Sequence, residues 1–450
     1  MLSPTEPGLG ESPVDRTLAA LRRGELAGAR SLVLSDAGLN ELPIEVLALA
    51  DTLEALDLSH NHLQALPAGF SRLRRLRVLF CSGNRFRQLP PVLGDCPALV
   101  QAGFRGTGLQ QLPAEALPPQ LRWLTLTDNQ LTRLPAALGE LPALEKLMLA
   151  GNQLTRLPAT LAGARRLALL RVAANRLGSL PGWLTELPEL AWLAWAGNPC
   201  EAPPPAPQAR RIAAQAVQVG ALLGEGASGH IHAAHWQPED GPVQAVALKR
   251  YKGQMTSDGL PQHEMDACLA AGHHPHLLGA IGRVDAGTDG TPALLMPRLP
   301  PHWAPLAAPP SRESCSRDVY PEGWQLPLAT AWQVARGIGL AAAHLHGRGL
   351  LHGDLYAHNT LWNAADGSAL LSDFGAASFL PGGRSAQSQA LQRLEVRAWG
   401  LLLGELLDRS ADPVPPALRE VQQLCLQPAT RQRPLMAQAL ALAEQAAGRP

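Results

Sequence analysis

His352–Trp362 reads HGDLYAHNTLW, and a second short stretch, SDFG, follows at Ser372–Gly375. Asp354 and Asn359 stand five residues apart, and Asp373 comes fourteen residues after Asn359. The set holds an acid that can take a proton from a hydroxyl, then an amide and a second acid that can hold a divalent cation. Phosphoryl transfer uses such parts, because its transition state needs positioning and charge neutralisation more than covalent chemistry. A phosphate cradle and a lone cation should then lie upstream.

Both are present. Ala221–His232 (ALLGEGASGHIH) contains GxGxxG as Gly224, Gly226 and Gly229, with Ile231 two residues on. Alone, that motif fits a dinucleotide fingerprint or a glycine-rich turn equally well. The next segment, QAVALKR, carries Lys249 twenty residues after Gly229 with no helix signal between them. A dinucleotide-binding loop would run straight into a helix. Lys249 is one of three lysines, with Lys146 and Lys252, in a chain that otherwise uses arginine. A compact ammonium on a flexible stem serves phosphates differently from a planar guanidinium. Gln262–Ala271 (QHEMDACLAA) reads as a helix with Met265, Cys268 and Leu269 on its apolar face, and Glu264 lies fifteen residues after Lys249.

These stretches together resemble the protein kinase family, of the bacterial type with an HGD catalytic loop. The resemblance implies an α+β bilobal domain over residues 211–450 that uses ATP and Mg²⁺. It implies that Asp354 is the catalytic base, and that Lys249 contacts phosphates and pairs with Glu264. Asn359 and Asp373 would hold the metal, with Phe374 and His352 in an internal hydrophobic spine. Gly224, Gly226, Gly229 and Ile231 would cover the nucleotide, and Met296 and Leu299 would flank its base at the hinge, where Pro297 has no N–H to offer. Leu328–His346 is expected as the long helix before the catalytic loop, and Arg433 resembles the family's C-terminal signature. Departures are equally specific. Gly353 replaces the usual arginine before Asp354, Tyr356 stands where serine/threonine kinases carry lysine, and Glu395 stands where the family has aspartate. No APE follows SDFG, so the activation segment is short and Arg433 lacks its usual partner. Ser378, Ser385 and Ser388 are candidate modification sites in that segment.

The first 200 residues carry a different pattern, LxxLxLxxNxLxxLP. Its asparagine slot holds Asn61, Asn84, Thr107, Asn129, Asn152, Asn175 and Asn198, at intervals of 23, 23, 22, 23, 23 and 23. This period resembles the leucine-rich repeat, an α/β solenoid in which each repeat adds a strand and leucines to one continuous core. The asparagine side chain should satisfy backbone groups where each strand turns, and Thr107 should weaken one rung. Strand alternation places Phe80, Trp123, Lys146, Arg171 and Trp192 on the concave face, the usual binding surface of solenoids. Aromatic side chains there are candidate anchors for a protein substrate or partner, or pack on neighbouring rungs. The expected organisation is a tail and capping helix over 1–30, repeats over 31–200, a stiff proline-rich linker over 201–210, and the kinase-like half over 211–450.

Composition bounds the function. Basic and acidic residues number 38 each, so the net charge is zero and no basic excess points to nucleic acid. The six cysteines are scattered, as free thiols in a reducing compartment would be. Neither a signal peptide nor an apolar run of membrane-spanning length is recognisable, and the expected location is cytoplasmic. The reading is an ATP-dependent protein kinase acting on a serine or threonine hydroxyl, with the repeats selecting its partner. A pseudokinase scaffold and a small-molecule phosphotransferase are the alternatives, and oligomeric state is left open.

Overall fold

The computed structural model describes residues 12–204, 210–226, 228–253, 255–285, 293–382 and 385–448. Half of the proline-rich linker (205–209) and the first eleven residues therefore lie outside the described residues. Helix α1 (Pro13–Arg22) is the first described element and covers ten residues of the 1–30 segment expected to hold a tail and capping helix. Pro13 sits at its start, and Ser12 and Asp15 cap each other's backbone N–H groups.

Eight three-residue strands follow, one per repeat. They are β1 (Ser31–Val33), β2 (Ala55–Asp57), β3 (Val78–Phe80), β4 (Gln101–Gly103), β5 (Trp123–Thr125), β6 (Lys146–Met148), β7 (Leu169–Arg171) and β8 (Trp192–Ala194). They form one parallel sheet in chain order, in register. The middle residue of each strand points into the leucine core, while the flanking two face the concave side. A proline stops each repeat from extending into a further strand, and short 3₁₀ turns return the chain.

The asparagine ladder forms as expected. Asn152 Nδ2 donates to the carbonyls of Leu126 (2.9 Å) and Leu149 (3.0 Å), and its Oδ1 accepts from Leu131 N–H at 3.0 Å. Each such side chain therefore joins two repeats. Thr107 reaches only the Phe104 carbonyl (3.2 Å) and Asn129 Oδ1 (3.1 Å), and its one hydroxyl proton can serve one of them. It bonds forward to the next rung and, among the described residues, makes no bond back to the preceding one.

The C-terminal half begins with a twisted six-stranded sheet in the order β10-β11-β12-β14-β13-β9. Its strands are β9 (Arg211–Ile212), β10 (Val217–Glu225), β11 (Gly229–Trp236), β12 (Gln244–Tyr251), β13 (Gly282–Val284) and β14 (Ala293–Pro297). Helix α2 (Pro261–Ala271) packs beside it. A mainly helical lobe follows: β15 (Trp303–Pro305), α3 (Leu328–Gly347), β16 (Leu350–Leu351), β17 (Thr360–Asn363), β18 (Ala369–Leu371), β19 (Ser378–Phe379), α4 (Ala386–Asp408), α5 (Pro416–Cys425) and α6 (Met436–Ala447). The architecture is an α/β leucine-rich-repeat solenoid followed by an α+β bilobal domain. All six cysteines are free thiols, and among the described residues no helix is long and apolar enough to cross a membrane.

The two halves share their cores. Leu351, Leu380, Leu391 and Leu394 pack in the same cluster as the repeat leucines. Met148, Leu169 and Trp192 of the solenoid belong in turn to the core of the helical lobe. The concave face at β7 and β8 is thus covered by the chain's own C-terminal half, and Arg171 and Trp192 are buried. This corrects the expectation of an open concave face for an external partner: these two strands already have an occupant. Phe80, by contrast, stays half-buried under the Arg312 guanidinium, and Trp123 lies 4.1 Å from Lys146 Nζ.

The ladder generates a prediction in two directions. Asn152→Ala leaves the Leu131 N–H without its partner and takes one of two donors from the Leu126 and Leu149 carbonyls, which keep Asn129 and Asn175, and should cost about 2 kcal/mol. Thr107→Asn restores a cross-repeat bridge and should stabilise by about 1 kcal/mol. Urea midpoints of the two variants against the parent measure both; a Thr107→Asn midpoint below the parent would sink the ladder account.

Candidate active site

The sheet sets one wall of the site through its register. Gly224 on β10 pairs with Ile231 on β11, which pairs with Lys249 on β12, so the three lie in one row across the strands. Strand, loop and strand in this order exclude the dinucleotide reading of GxGxxG, which needs a helix after the loop. A Cβ at Gly224 or Gly226 would meet nothing within 4 Å. At Gly229 it would strike the Arg250 carbonyl at 2.3 Å, so this glycine is required by the close approach of β12. Met296 lies opposite Ala247 in β14, whose last residue, Pro297, is exposed, and Leu299 beyond the strand is half-buried.

Lys249 forms an ion pair with Glu264 on α2, joining sheet and helix. Burial works against the Lys249 ammonium, but the Glu264 and Asp373 carboxylates outweigh it and lift its pKa above the ordinary lysine value. Burial raises the Glu264 pKa, with Lys249 opposing. Lys249 is therefore held charged, and Glu264 Oε2 remains a buried acceptor without a partner among the described residues.

The opposite wall is the loop after β16. Asn359 Nδ2 donates to the backbone carbonyl of Asp354 at 3.0 Å and to its Oδ2 at 2.7 Å. The loop itself is held from beneath by a buried carboxylate: Glu395 on α4 accepts from Gly353 N–H at 2.7 Å and contacts His346 Nε2 at 2.7 Å. Burial alone would raise the Glu395 pKa, yet its bonds to His346 and Gly353 lower it. Gly353 has φ +74°, and a Cβ there would lie 2.5 Å from the Ala376 carbonyl and 2.8 Å from that of Leu193. No side chain fits at this position, which is the physical reason the usual arginine is absent. His352 is fully buried, with its ring centroid 5.4 Å from that of Phe374. Asp373 adopts φ +62°, a conformation rare outside glycine, and its Oδ1 accepts from Gly375 N–H at 3.0 Å.

Several groups at the site had no signal of their own in the sequence. Arg171 of the solenoid donates from Nε to Asp258 (2.6 Å) and from Nη1 to the Gly353 carbonyl (2.9 Å), and pairs through Nη2 with Asp354. Burial raises the Asp354 pKa while the Arg171 guanidinium opposes it. Trp192 stacks on Tyr356 with centroids 4.2 Å apart and planes 6° apart, and donates to the Leu355 carbonyl at 3.0 Å. Arginine is common in this chain and strand alternation gives only the face a residue points to, so neither contact was foreseeable. Arg433, without an APE partner, donates to the carbonyls of Gln427 (2.8 Å), Arg393 (3.3 Å) and Pro188 (2.7 Å), the last in the repeats. Ser378 and Ser388 are buried, unlike the exposed sites the sequence suggests, and Ser385 caps α4.

The residues present fit a nucleotide with a divalent ion. Open space above Gly224 and Gly226 can admit phosphates, and a buried ammonium stands beside it. Asn359 and Asp373 offer hard oxygen donors, as Mg²⁺ requires. Among the described residues no group of three His, Cys, Asp or Glu side chains is placed to hold a metal ion.

Sequence comparisons agree with this geometry. Residues 217–399 match the family described as protein tyrosine and serine/threonine kinase, and residues 27–86 and 119–177 match leucine rich repeats. The chain is 29% identical over 117 residues to "Probable inactive serine/threonine-protein kinase roco10" of Dictyostelium discoideum, covering 25% of this chain and 4% of that protein. It is 34% identical to mouse Podocan over 27% of this chain and 20% of the other, and 37% identical to mouse "Leucine-rich repeat serine/threonine-protein kinase 1" over 15% and 3%. It thus spans 3–20% of the length of these relatives. A solved leucine-rich-repeat protein of Leptospira interrogans shares 27% identity over 40% of this chain and 52% of its own, at a TM-score of 0.36 too low to carry an argument. The chain thus carries segments that match leucine rich repeats, at residues 27–86 and 119–177, ahead of one that matches a protein tyrosine and serine/threonine kinase domain, at residues 217–399.

Proposed function

We propose that the C-terminal half transfers the γ-phosphoryl group of ATP to a serine or threonine hydroxyl of a protein. The observation that carries this reading is the assembled pair of walls: Lys249 held by Glu264 on one, and Asp354 held by Asn359 on the other. Lys249 neutralises and positions phosphate oxygens, and Gly224, Gly226 and Ile231 close over them. Met296 and Leu299 receive the base. Asn359 and Asp373 would hold Mg²⁺, which would supply neutralising charge to the transferring phosphates. Asp354 orients the acceptor hydroxyl and receives its proton as the acceptor oxygen bonds the γ-phosphorus and the bond to the β-bridging oxygen breaks, releasing ADP. The domain boundaries at residues 31, 201 and 211 belong to the same reading.

A second reading has its own support. One Asp354 oxygen pairs with Arg171 and Tyr356 is stacked under Trp192, which limits the approach of a bulky acceptor. That arrangement suits a nucleotide-binding scaffold.

Incubation with γ-labelled ATP, Mg²⁺ and a generic protein acceptor separates the two. Label transfer that falls about 100-fold or more in Asp354→Asn and in Lys249→Met supports the kinase. Chelation of Mg²⁺ should abolish transfer and most of the ATP-induced rise in Tm. A rise in Tm with ATP but no label on any acceptor rejects the kinase in favour of the scaffold. Saturating ligand at 100 times Kd stabilises by about 2.7 kcal/mol, so binding is readable from melting alone.

A further inference from the structure

We propose that Arg171, a residue of the seventh repeat strand, is a positioning residue of the phosphoryl-transfer site. It holds the Asp354 carboxylate in the orientation that receives the acceptor's proton. The inference rests on the kinase reading above and goes beyond it, because it makes the repeat domain part of the catalytic machinery.

The guanidinium is almost wholly buried, and each of its nitrogens is engaged. Nε bonds Asp258 Oδ1, Nη1 bonds the Gly353 carbonyl, and Nη2 pairs with Asp354 Oδ1. The other Asp354 oxygen, Oδ2, accepts from Asn359 at 2.7 Å. Two donors from different elements thus fix the carboxylate's plane. Each oxygen keeps a second lone pair, so an acceptor hydroxyl can still bond. The Asp354 side chain retains 18% exposure, which leaves a way in.

Charge makes the same demand. Asp258 and Asp354 both face this one guanidinium and are both withdrawn from water to some extent. Without a cation between them the two carboxylates repel, and Asp354 is free to swing out of this orientation. None of the other nearby cations bonds the Asp354 carboxylate. Lys249 pairs with Glu264, His358 is bonded to Asp318 through its ring (2.6 Å) and its N–H (3.1 Å), and Lys146, whose charge feels Asp354 and Asp258 at longer range, lies over the Trp123 ring. A planar fork bridging two carboxylates and a carbonyl is a task a lysine performs only in part.

The contact is built in. Trp192, one strand on, bonds the Leu355 carbonyl and stacks on Tyr356, and Trp195 N–H donates to Ser378 Oγ at 3.0 Å. The shared leucine core beneath these contacts holds β7 at a fixed distance from the loop. Pre-set orientation of this kind is what converts a bound acceptor into a reactive one.

The test uses the full chain, with label transfer from γ-labelled ATP followed for Arg171→Met and Arg171→Lys and folding checked by melting. Arg171→Met should lower kcat by about 30-fold or more, while KM for ATP and the ATP-induced Tm shift stay within about twofold. Arg171→Lys should recover part of the loss, which a purely structural role would not require. Unchanged kcat, or a lysine variant no better than methionine, overturns the proposal. Transfer above that of the parent also overturns it and makes the solenoid an inhibitory cover. Should Arg171→Met fail to fold, Asp258→Asn loosens the same guanidinium: a fall in kcat at constant KM for ATP supports the role, and constant kcat rejects it. A parent protein that moves no label from ATP overturns the kinase reading together with this one, whereas an active parent with indifferent variants overturns Arg171 alone.

Discussion

A stack of parallel rungs ends in an exposed apolar surface, and the closing of that surface sets where the rest of this protein sits. The last repeat is capped by the helical lobe rather than by a dedicated cap: Leu380, Leu391 and Leu394 complete the leucine core. Polar contacts then fix the angle of the joint. Arg433 reaches the Pro188 carbonyl, Arg397 pairs with Glu189, and Glu201 accepts from both Gly197 N–H (2.6 Å) and Phe379 N–H (2.9 Å). With that end closed, β7 and β8 must lie across the HGD loop. The contacts of Arg171 and Trp192 follow from the capping.

Several charges at this joint and behind the loop are removed from water, where an unpaired ion costs several kcal/mol. Each is placed where a direction has to be specified. Glu395 uses one oxygen for Gly353 N–H and the other for His346, which ties the HGD loop to α3 and α4 together. Lys249 and Glu264 tie the sheet to α2. Leucine packing could hold these elements together with less electrostatic cost, but it would not aim an N–H or a carboxylate. The apolar core supplies cohesion, and the buried ions supply geometry.

Much of this was legible in the sequence because it is periodic or local. Spacing of the asparagines reports a repeat directly, since every rung solves the same backbone problem. GxGxxG followed by Lys249 without a helix signal reports a strand pair. What remained illegible depends on the other half of the chain. Trp192 looked like a surface anchor because alternation tells which face a side chain leaves by, not what meets it there. Ser378 and Ser388 looked accessible because a short segment rich in small residues resembles an open loop; pairing of β19 with β16 and the packing of α4 bury them. Residues 300–327, to which no sequence motif assigns a role, bridge the halves: Glu313 and Ser314 carbonyls accept from Arg122, and Ser316 bonds Glu145.

The solenoid also acts as a ruler with one end fixed. Neighbouring strands in such a sheet lie about 4.8 Å apart. A repeat gained or lost ahead of β3, where Phe80 meets Arg312, changes only the length of the part that points away from the joint. A repeat inserted between β7 and β8 would carry Arg171 one rung away from Asp354 and leave a different side chain in its place. Length variation in proteins built this way should therefore accumulate on the amino-terminal side of the stack, while the count of rungs beside the cap is held constant by the chemistry they face.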